Sequence, residues 1–413
     1  MAAEREFEIV VVGAGPAGIA AVCAAAECGK RVGLVDDNPD AGGQIWRFGA
    51  PEGEPWFERL RRSGAEVIPG ARVFDHPAAG VLHADRDGER LDLRYEQLIL
   101  ATGARERFLP FPGWTLPNVL GTGGLQALVK SGLPVEGKRV VVAGSGPLLP
   151  AVADFLRSRG AVISLIAEQA PARRIRRLAF SLAAFPGKLL EAARRRLSVL
   201  GTRYLADCWV VAAEGDGKLA TITLQRNGIT WREPCDYLAC GFGLVPNLEL
   251  PLLIGCAVER GFVSVNEWQR TSVPGVACAG ELCAIGGVDL ALATGLLAGY
   301  TAGDREDKAR KHFAARRRAL GFASRLEIAF ALREELKAIA TPETIVCRCE
   351  DVPLGKIAGQ HNWRSAKLQT RCGMGPCQAR VCGPAVDFLC GWPAESVRPP
   401  LFPVEVGRFM GPR

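Results

Sequence analysis

The last quarter of this 413-residue chain holds a group of cysteines whose spacing suits metal chemistry. Cys347 and Cys349 form a Cys-x-Cys pair, and Cys377 and Cys382 form a Cys-x4-Cys pair after a spacer of 27 residues. Four thiolates are a common ligand set for an iron–sulfur cluster and for a structural zinc ion. Cys372 is a fifth candidate, either as an alternative ligand or as a buried neighbour of the metal.

Two features of the surrounding sequence favour a [2Fe–2S] cluster over zinc, whose structural sites more often use Cys-x2-Cys pairs. Gly373, Gly375 and Gly383 leave backbone N–H groups free to point at sulfur, which tunes a redox cluster. Arg348 and Arg371 would offset the negative charge of the cluster. A zinc site and unligated thiols are the alternatives.

A second group of residues, near the start of the chain, has the spacing of a nucleotide-binding turn. The segment "IVVVGAGPAG" places Gly13, Gly15 and Gly18 in a G-x-G-x-x-G pattern directly after an apolar run. The first glycine of such a turn makes the bend, the second admits a pyrophosphate, and the third lets helix and strand pack closely. Asp36 follows at the position of the acidic ribose ligand. These residues predict a dinucleotide site at a helix N-terminus.

A weaker copy of this pattern begins at residue 144, in "GSGPLL". Gly144 and Gly146 keep the first two glycines, but Leu149 stands at the third position, where its side chain should push helix and strand apart. Glu168 is a candidate ribose acid, one residue later in its unit than Asp36 is in the first. We therefore expect a degenerate nucleotide domain, or one that holds an adenine nucleotide without redox use; productive NAD(P)H binding is the alternative.

Both turns need β-α-β units to hold them. In the first unit Phe7–Val12 is a buried strand, Ile19–Cys28 a helix and Arg31–Val35 a second strand. The second unit repeats strand, helix and strand at Arg139–Ala143, Pro150–Arg159 and Ala161–Ile166. This alternation predicts an α/β fold with parallel sheets.

Composition narrows the class of protein. The formal charge is +7, and arginines cluster at 173–177 and 310–318, which is more typical of solvated helix faces than of a surface for an acidic protein. Neither cluster forms the aromatic-interleaved basic patch that is typical of nucleic-acid binding, so we expect no nucleic acid partner. The N-terminus lacks a signal peptide and no apolar run is long enough for a transmembrane span. We expect a cytoplasmic protein whose 14 cysteines bind metal or do redox chemistry rather than form structural disulfides.

Two absences in the sequence argue against other redox chemistry. A disulfide reductase with this kind of nucleotide-binding fold carries a redox-active cysteine pair beside its flavin. No cysteine lies between Asp37 and Pro134, so such a pair is missing there. The pairs Cys235/Cys240 and Cys278/Cys283 occur in apolar strand contexts, which favours core packing. None of the four histidines belongs to a recognisable group of general acid and base residues. We therefore expect no catalytic residue on this chain.

The chain resembles the two-dinucleotide-domain flavoprotein superfamily in three further segments. The segments "GGQIWR" (42–47), "ATGARER" (101–107) and "GVACAGELCAIGG" (275–287) are similar to its further FAD-contacting segments. The resemblance implies that the first unit holds FAD and that Glu281, where the superfamily more often has Asp, approaches the ribityl end. The FAD-binding residues it implies are Gly13, Gly15, Pro16, Ala17, Gly18, Asp36, Asp37, Gly43, Gln44, Ala101, Thr102, Gly103, Gly280, Glu281 and Gly287.

The cysteine region resembles the bacterioferritin-associated-ferredoxin-like [2Fe–2S] domain. "CRCEDV" and "TRCGMGPCQARVCG" are similar to its two signatures, with Ala379 in place of the usual glycine. Many relatives have another residue at the position of Cys372. The resemblance therefore implies Cys347, Cys349, Cys377 and Cys382 as ligands.

The whole arrangement resembles the large subunit of heteromeric flavin amine dehydrogenases. That group includes the A subunit of opine oxidase, the B subunit of hydrogen cyanide synthase and the α subunit of D-hydroxyproline dehydrogenase. The resemblance implies that a partner β subunit similar to glycine and D-amino-acid oxidases oxidises an amino acid or opine. This chain would pass the electrons to a quinone or carrier. A stand-alone NAD(P)H-dependent flavin/iron–sulfur oxidoreductase is the alternative.

The same resemblance extends to further partners and to the domain plan. It implies a possible small third iron–sulfur subunit, a possible second nucleotide (ATP, or FMN at a partner interface) and possible peripheral association with the inner membrane face.

The predicted segments are an FAD-binding domain in two parts (1–130 and 249–303), a second nucleotide-binding domain (131–248), a helical connector (304–340), an α-rich [2Fe–2S] domain (341–395) and a Pro-rich tail (396–413).

Overall fold

The computed structural model describes residues 3–47, 50–393 and 397–410. Within these ranges the chain forms two units, each assembled from separate stretches of sequence. The first unit combines residues 1–105, 245–324 and 395–413, and the second combines 106–244 and 325–394. The stretch predicted as a helical connector therefore contributes to both units. The mixed α/β architecture confirms the predicted fold class.

The first stretch of unit one begins as the sequence predicts, with a strand, a glycine turn, a helix and a parallel strand. The first strand starts at residue 3, earlier than the apolar run, because its charged first residues pair with a long neighbouring strand. The elements are β1 (Ala3–Val12), α1 (Pro16–Ala26), β2 (Val32–Val35), α2 (Gly43–Trp46), α3 (Glu54–Arg62), β3 (Glu66–Ile68), β4 (Ala71–Ala78), β5 (Val81–Arg86), β6 (Glu89–Leu100) and β7 (Ala104–Glu106).

The chain then builds most of the second unit. Its elements are β8 (Val119–Leu120), α4 (Thr122–Lys130), β9 (Arg139–Ser145), α5 (Leu148–Ser158), β10 (Val162–Glu168), α6 (Ala172–Ser181), α7 (Pro186–Ser198), β11 (Arg203–Ala206), β12 (Cys208–Glu214), β13 (Thr221–Arg226), β14 (Ile229–Pro234) and β15 (Tyr237–Phe242).

The remaining elements complete both units. They are β16 (Leu244–Pro246), α8 (Glu249–Ile254), β17 (Val258–Glu259), β18 (Phe262–Val263), β19 (Val276–Cys278), α9 (Gly287–Ala302), α10 (Glu306–Ala309), α11 (Phe313–Phe330), β20 (Ile345–Cys347), β21 (Val352–Pro353), α12 (Leu354–Ala358), α13 (Trp363–Thr370), α14 (Cys382–Cys390) and α15 (Val406–Met410).

Unit one is organised around a seven-stranded sheet of order β3-β2-β1-β6-β5-β4, with β19 also paired to β6. Strands β3, β2, β1, β6 and β19 run parallel, whereas β4, β5 and β6 form an antiparallel meander. The last four residues of β1, from Ile9 to Val12, are all buried, as in a parallel strand covered on both faces. The C-terminal tail packs on this unit, where the N–H of Leu401 donates to the carbonyl of Phe74 at 2.8 Å.

Helices α1 and α9 of unit one pack closely because glycines line their contact. A Cβ at Gly295 would lie 2.2 Å from the carbonyl oxygen of Ala17, and one at Gly299 would lie 2.2 Å from that of Ala21. These four-residue steps place the glycines on one face of α9, so the backbones of the two helices approach one another. The contact fixes the N-terminus of α1, where the nucleotide turn lies.

Unit two contains a parallel five-stranded sheet of order β11-β10-β9-β15-β8, beside an antiparallel sheet formed by β12, β13 and β14. The sheet and α5 enclose a hydrophobic cluster that includes Leu149. The cysteine region adds short elements from β20 to α14, with its own core around Ile357, Trp363 and Val386. This region is rich in short helices, as the sequence predicts.

The α1–α9 contact generates the first prediction. Replacing Gly299 by Ala places a Cβ 2.2 Å from a backbone oxygen and 2.8 Å from the Cβ of Ala24, so the helices must separate. We expect Gly299→Ala to lower the free energy of unfolding by about 1–3 kcal/mol, measured as a lower thermal midpoint of the FAD-loaded protein.

The matched control is Gly124→Ala in α4, where nothing lies within 4 Å of the added Cβ. This change should leave the midpoint unchanged or raise it, because alanine favours a helix over glycine. Equal midpoints for the two variants would show that the glycine contact does not govern this packing.

Candidate cofactor sites

The first nucleotide turn of unit one has a backbone path that requires glycine. Gly13 has φ of 106°, and a Cβ there would lie 2.3 Å from the carbonyl oxygen of Ala101. A Cβ at Gly18 would lie 1.7 Å from the carbonyl oxygen of Gly13. Pro16 occupies the first turn of α1, a position that its fixed φ favours. Gly15 differs from the others, because its Cβ position meets only the Cα of Gly43, at 3.9 Å.

Asp36 follows β2 and organises the loops around this turn. Its Oδ2 accepts from the N–H of Ala14 at 2.5 Å, and its Oδ1 accepts from the backbone N–H of Asn38 at 2.8 Å. Burial and the charge of Asp36 raise the pKa of the neighbouring Asp37 carboxyl. Two carboxylates thus lie at the end of β2, where the ribose hydroxyls of a dinucleotide bind.

The segment predicted around Gly43 and Gln44 forms α2, beside the turn. Gly43 has φ of 58° and lies against Gly15, whereas Gln44 is exposed. The N–H of Gly42 donates to the carbonyl of Ala14 at 2.7 Å and fixes this segment on the loop. The two glycine segments therefore form one narrow backbone cradle.

The predicted turn at Ala101–Gly103 is held by a residue that the sequence analysis missed. Asn247 donates from Nδ2 to the carbonyl of Thr102 at 2.7 Å and accepts from Arg105 at 2.9 Å. Arg105 also pairs with Glu249 at 2.6 Å. Asn247 ends the sequence "GFGLVPN", so its place after a Gly-rich strand end was the available signal.

The third predicted segment, Gly280 to Gly287, brings a carboxylate to the same unit. Gly280 has φ of 74°, and its N–H donates to Oγ1 of Thr294 at 3.0 Å. Burial raises the pKa of the Glu281 carboxyl, and no described residue donates a hydrogen bond to it. Gly287, with φ of 72°, begins α9. A desolvated carboxylate without a donor fits the hydroxyl-rich ribityl and ribose groups of FAD.

The second nucleotide turn, in unit two, bends the backbone at a glycine as the first does, but a leucine side chain stands at the third position of its motif. Gly144 has φ of 130°, and a Cβ there would lie 1.7 Å from the carbonyl oxygen of Gly241. Leu149 is buried inside the core of this unit, so the third position of the motif serves packing. Gly146 has φ of 105° with open space at its Cβ position.

Glu168 of this second unit is directed into the protein rather than into a ribose pocket. Its carboxylate is fully buried and accepts from the N–H of Gly146 at 2.7 Å and of Ala170 at 2.8 Å. Burial raises the pKa of Glu168 to about 7. Both of its oxygens are already used to hold the turn and the end of β10.

The loop is also bound by the protein's own chain from residues 330–333. Oγ of Ser145 donates to the carbonyl of Phe330 at 3.1 Å, and Nε2 of Gln169 donates to Oγ of Ser145 at 2.8 Å. Arg333 donates from its backbone to Gln169 and pairs with Asp207 at 3.0 Å. Hydrogen bonds within the unit therefore already engage the side chains of Ser145 and Gln169 beside this turn.

The four cysteines predicted as metal ligands line one cavity of unit two, with a volume of about 180 Å³. Cys347 and Cys382 are buried, Cys377 is half-buried and Cys349 is exposed. Cys372 is absent from the lining, but its sulfur lies within 4.8 Å of those of Cys347 and Cys382. The cavity walls are completed by Trp114, Arg348 and Val381.

Glycines bring the backbone close to these sulfurs. The N–H of Gly373 donates to Sγ of Cys347 at 3.5 Å, and a Cβ at Gly375 would lie 2.3 Å from the Cβ of Cys349. Hydrogen bonds from Cys372 and Cys382 lower the pKa of the Cys347 thiol, so this thiol most readily becomes a thiolate.

The two arginines near the cysteines have different surroundings. Arg348 lies 6.0 Å from the ring centre of Trp114, on the cavity wall. Arg371 pairs with Glu350 at 2.7 Å, so its charge is partly balanced. Nε1 of Trp114 donates to the carbonyl of Ile345 at 2.6 Å and fixes the ring beside the cysteine strand.

The remaining cysteine pairs occupy core positions. Cys235, Cys240 and Cys278 are fully buried, and burial raises the pKa of each thiol. Cys283 is half-buried. A thiol with a raised pKa is a poor nucleophile, so Cys235, Cys240 and Cys278 are poorly suited to disulfide exchange.

The two Rossmann-like units, the glycine cradle and the half-buried Glu281 define a flavoprotein with two dinucleotide-binding folds. The pyridine nucleotide-disulphide oxidoreductase family matches residues 7–295, and the chain belongs to this family. Within it, the chain belongs to the group that contains the HcnB subunit of hydrogen cyanide synthase and the A subunit of opine oxidase.

Two relatives support this assignment. The HcnB subunit of hydrogen cyanide synthase from Pseudomonas aeruginosa is 32% identical over 90% of this chain and 90% of its own length. The A subunit of opine oxidase from Rhizobium meliloti is 32% identical over 97% of this chain and 98% of its own length.

Solved structures share the fold at lower sequence identity. L-proline dehydrogenase from P. horikoshii gives a TM-score of 0.74 at 18% identity and covers 98% of this chain and 80% of its own. Thioredoxin reductase from T. acidophilum gives 0.58 at 20% identity and covers 73% of this chain and 99% of its own. The chain is therefore an FAD-dependent oxidoreductase by family and by fold.

The turn geometry generates a prediction for FAD binding. The protein itself has room for a Cβ at Gly15, but a pyrophosphate that approaches the backbone there does not. We expect Gly15→Ala to lower FAD affinity at least about tenfold and to leave the thermal midpoint of the apoprotein unchanged. Quenching of FAD fluorescence during titration of the apoprotein measures the affinity.

Gly124→Ala serves again as the control, since it adds the same methyl group at an open helical position. Wild-type FAD affinity in Gly15→Ala would mean that the pyrophosphate does not lie on this turn.

Proposed function

We propose that this chain is the FAD- and [2Fe–2S]-containing electron-transfer subunit of a heteromeric dehydrogenase. On a partner β subunit, the enzyme would oxidise an amino acid or an opine-type secondary amine, and it would pass the electrons to a quinone or carrier. The observation that carries the proposal is the single cavity lined by Cys347, Cys349, Cys377 and Cys382, on a chain that also has the FAD cradle.

The two groups supply complementary chemistry: FAD takes up two electrons at once, and a [2Fe–2S] cluster takes up one. The chain's own residues prepare both sites. The open backbone at Gly15 would admit a pyrophosphate, Glu281 offers a desolvated acceptor, and Gly373 directs an N–H at a cysteine sulfur. Together the residues bind and orient the cofactors without supplying an acid or base.

The surroundings of the histidines support a partner as the site of substrate oxidation. His76 contacts the hydroxyl of Tyr95 at 3.0 Å, and His83 contacts Arg90 at 2.7 Å, both within the antiparallel part of the unit-one sheet. His312 stacks on Tyr300 at 5.6 Å. These contacts are structural, and burial lowers the pKa of all three imidazoles.

The names of the relatives support the heteromeric arrangement, because each is a subunit of a larger enzyme. By the same resemblance the partner would be similar to glycine and D-amino-acid oxidases, and the assembly would be cytoplasmic. The described residues contain no helix long and apolar enough to cross a membrane. A second nucleotide has less support, since Glu168 and Ser145 already bond within the unit.

The cavity lining generates a prediction for the metal ligands. We expect Cys349→Ala and Cys377→Ala to lose most of the protein-bound iron, because each removes a thiolate from the cavity wall. Cys372→Ala should keep the iron, since that sulfur lies outside the lining. Iron and acid-labile sulfide per chain are the measurements.

Cys390→Ala is the control, because this half-buried cysteine of α14 is also outside the lining. Loss of iron in Cys372→Ala with retention in Cys349→Ala would instead assign the ligands to the group of Cys347, Cys372 and Cys382. Stoichiometric zinc without iron would contradict the cluster.

The proposal that the partner oxidises the substrate and this chain accepts the electrons generates a kinetic prediction. In the anaerobic complex, one of glycine, D-hydroxyproline or an opine should bleach the flavin of this chain, and NADH should not. The isolated chain with FAD should be bleached by neither. Rapid-mixing absorbance at the flavin band measures both rates, and bleaching of the isolated chain by NADH would favour a stand-alone NAD(P)H oxidoreductase.

A further inference from the structure

The crossover between β10 and β11 in unit two carries an unusual concentration of positive charge. Residues 171–200 contain eight Lys and Arg and a single acidic residue, Glu191. Their formal charge of +7 equals that of the whole chain, so the rest of the chain is formally neutral. The segment forms α6 and α7, which together we name the basic helix pair (172–198).

The fold pairs only part of this charge. Arg174 donates to the carbonyl of Ala331, and Lys188 and Arg195 pair with Glu191. The other arginines with described side chains are exposed and make no hydrogen bond or ion pair to any described residue; they are Arg173, Arg176, Arg177 and Arg194. Four guanidinium groups are therefore presented to an external anionic partner.

The same helices expose large apolar side chains. Phe180 is 82% exposed at the end of α6, Leu190 is 53% and Leu197 61% exposed on α7, and Leu200 follows at 58%. Leu190 and Leu197 are seven residues apart, so they lie on one face of α7. Helix α6 contains apolar as well as basic residues, and apolar residues would normally be buried. None of the described side chains of α6 is buried.

We propose that the basic helix pair is a docking surface for an anionic lipid bilayer. Exposed leucine and phenylalanine beside unpaired arginines is the composition of helices that lie in the headgroup region, with the apolar side chains reaching the acyl boundary. Each basic residue near an anionic leaflet adds to the attraction. A nucleic acid would use the arginines but not the leucines, whereas a bilayer uses both.

The inference assigns to one surface the peripheral membrane association that the resemblance implies. Its test does not depend on the proposed function, because lipid binding is measured without turnover. The described residues contain no membrane-spanning helix, so docking through the basic helix pair would be what brings the chain to the bilayer in which lipid-soluble quinones are dissolved. The acceptor side of the proposed reaction would then be a quinone rather than a mobile carrier protein.

The test is co-sedimentation of the purified complex with vesicles of phosphatidylcholine alone or of phosphatidylcholine and phosphatidylglycerol in equimolar amounts. We expect binding to the anionic vesicles only, weakened by salt because the charges are exposed. The variant R173Q/R176Q/R177Q/R194Q should lower the partition coefficient at least about 100-fold, since each arginine contributes roughly fivefold.

The matched control K138Q/K218Q/K311Q/R317Q removes the same charge from four other exposed positions and should bind nearly as well as the unmodified complex. Thermal midpoints and flavin content of both variants verify folding. Equal binding by the two variants, or no preference for anionic vesicles, would overturn the proposal. Loss of the partner subunit from the arginine variant alone would show that the surface is a subunit interface instead.

Discussion

The structure depends first on how closely backbone can approach backbone at the start of α1. A Cβ at Gly18 would lie 1.7 Å from the carbonyl oxygen of Gly13, and one at Gly13 would lie 2.3 Å from that of Ala101. These contacts bring α1, β1 and the end of β6 together, and the glycines of α9 then hold α1 from the other side. The cradle that receives FAD is a consequence of this packing, because the same closeness directs the N-terminus of α1 at the loop.

The second unit keeps the same glycine bend but has different residues packed behind the turn. Gly144 still makes the turn, but Leu149 belongs to the core. Glu168 accepts from its turn as Asp36 does in the first unit, but Glu168 is fully buried whereas Asp36 is half-buried. The chain's own residues 330–333 then satisfy Ser145 and Gln169. In the first unit the half-buried Glu281 carboxylate accepts no hydrogen bond from a described residue, which fits the proposed FAD site.

Much of this could be predicted from the sequence, because glycine spacing and apolar periodicity are local signals. Both β-α-β units, the first turn and Asp36 were found in this way. Asn247 was not, because its role depends on Thr102 and Arg105, which are distant in sequence. The glycine face of α9 was missed for the same reason, since only the position of α1 shows what the glycines contact. The buried state of Glu168 likewise could not be predicted from its spacing alone.

If the cysteine cavity holds the proposed cluster, a flavin and a one-electron centre on one chain would split a two-electron oxidation into single steps. The most direct measurement is a potentiometric titration of the purified complex that follows flavin absorbance and the electron paramagnetic resonance signal together. The account predicts one FAD and one signal per chain, the signal from a reduced [2Fe–2S] cluster with two irons. A fully reduced complex with flavin but no such signal would contradict it.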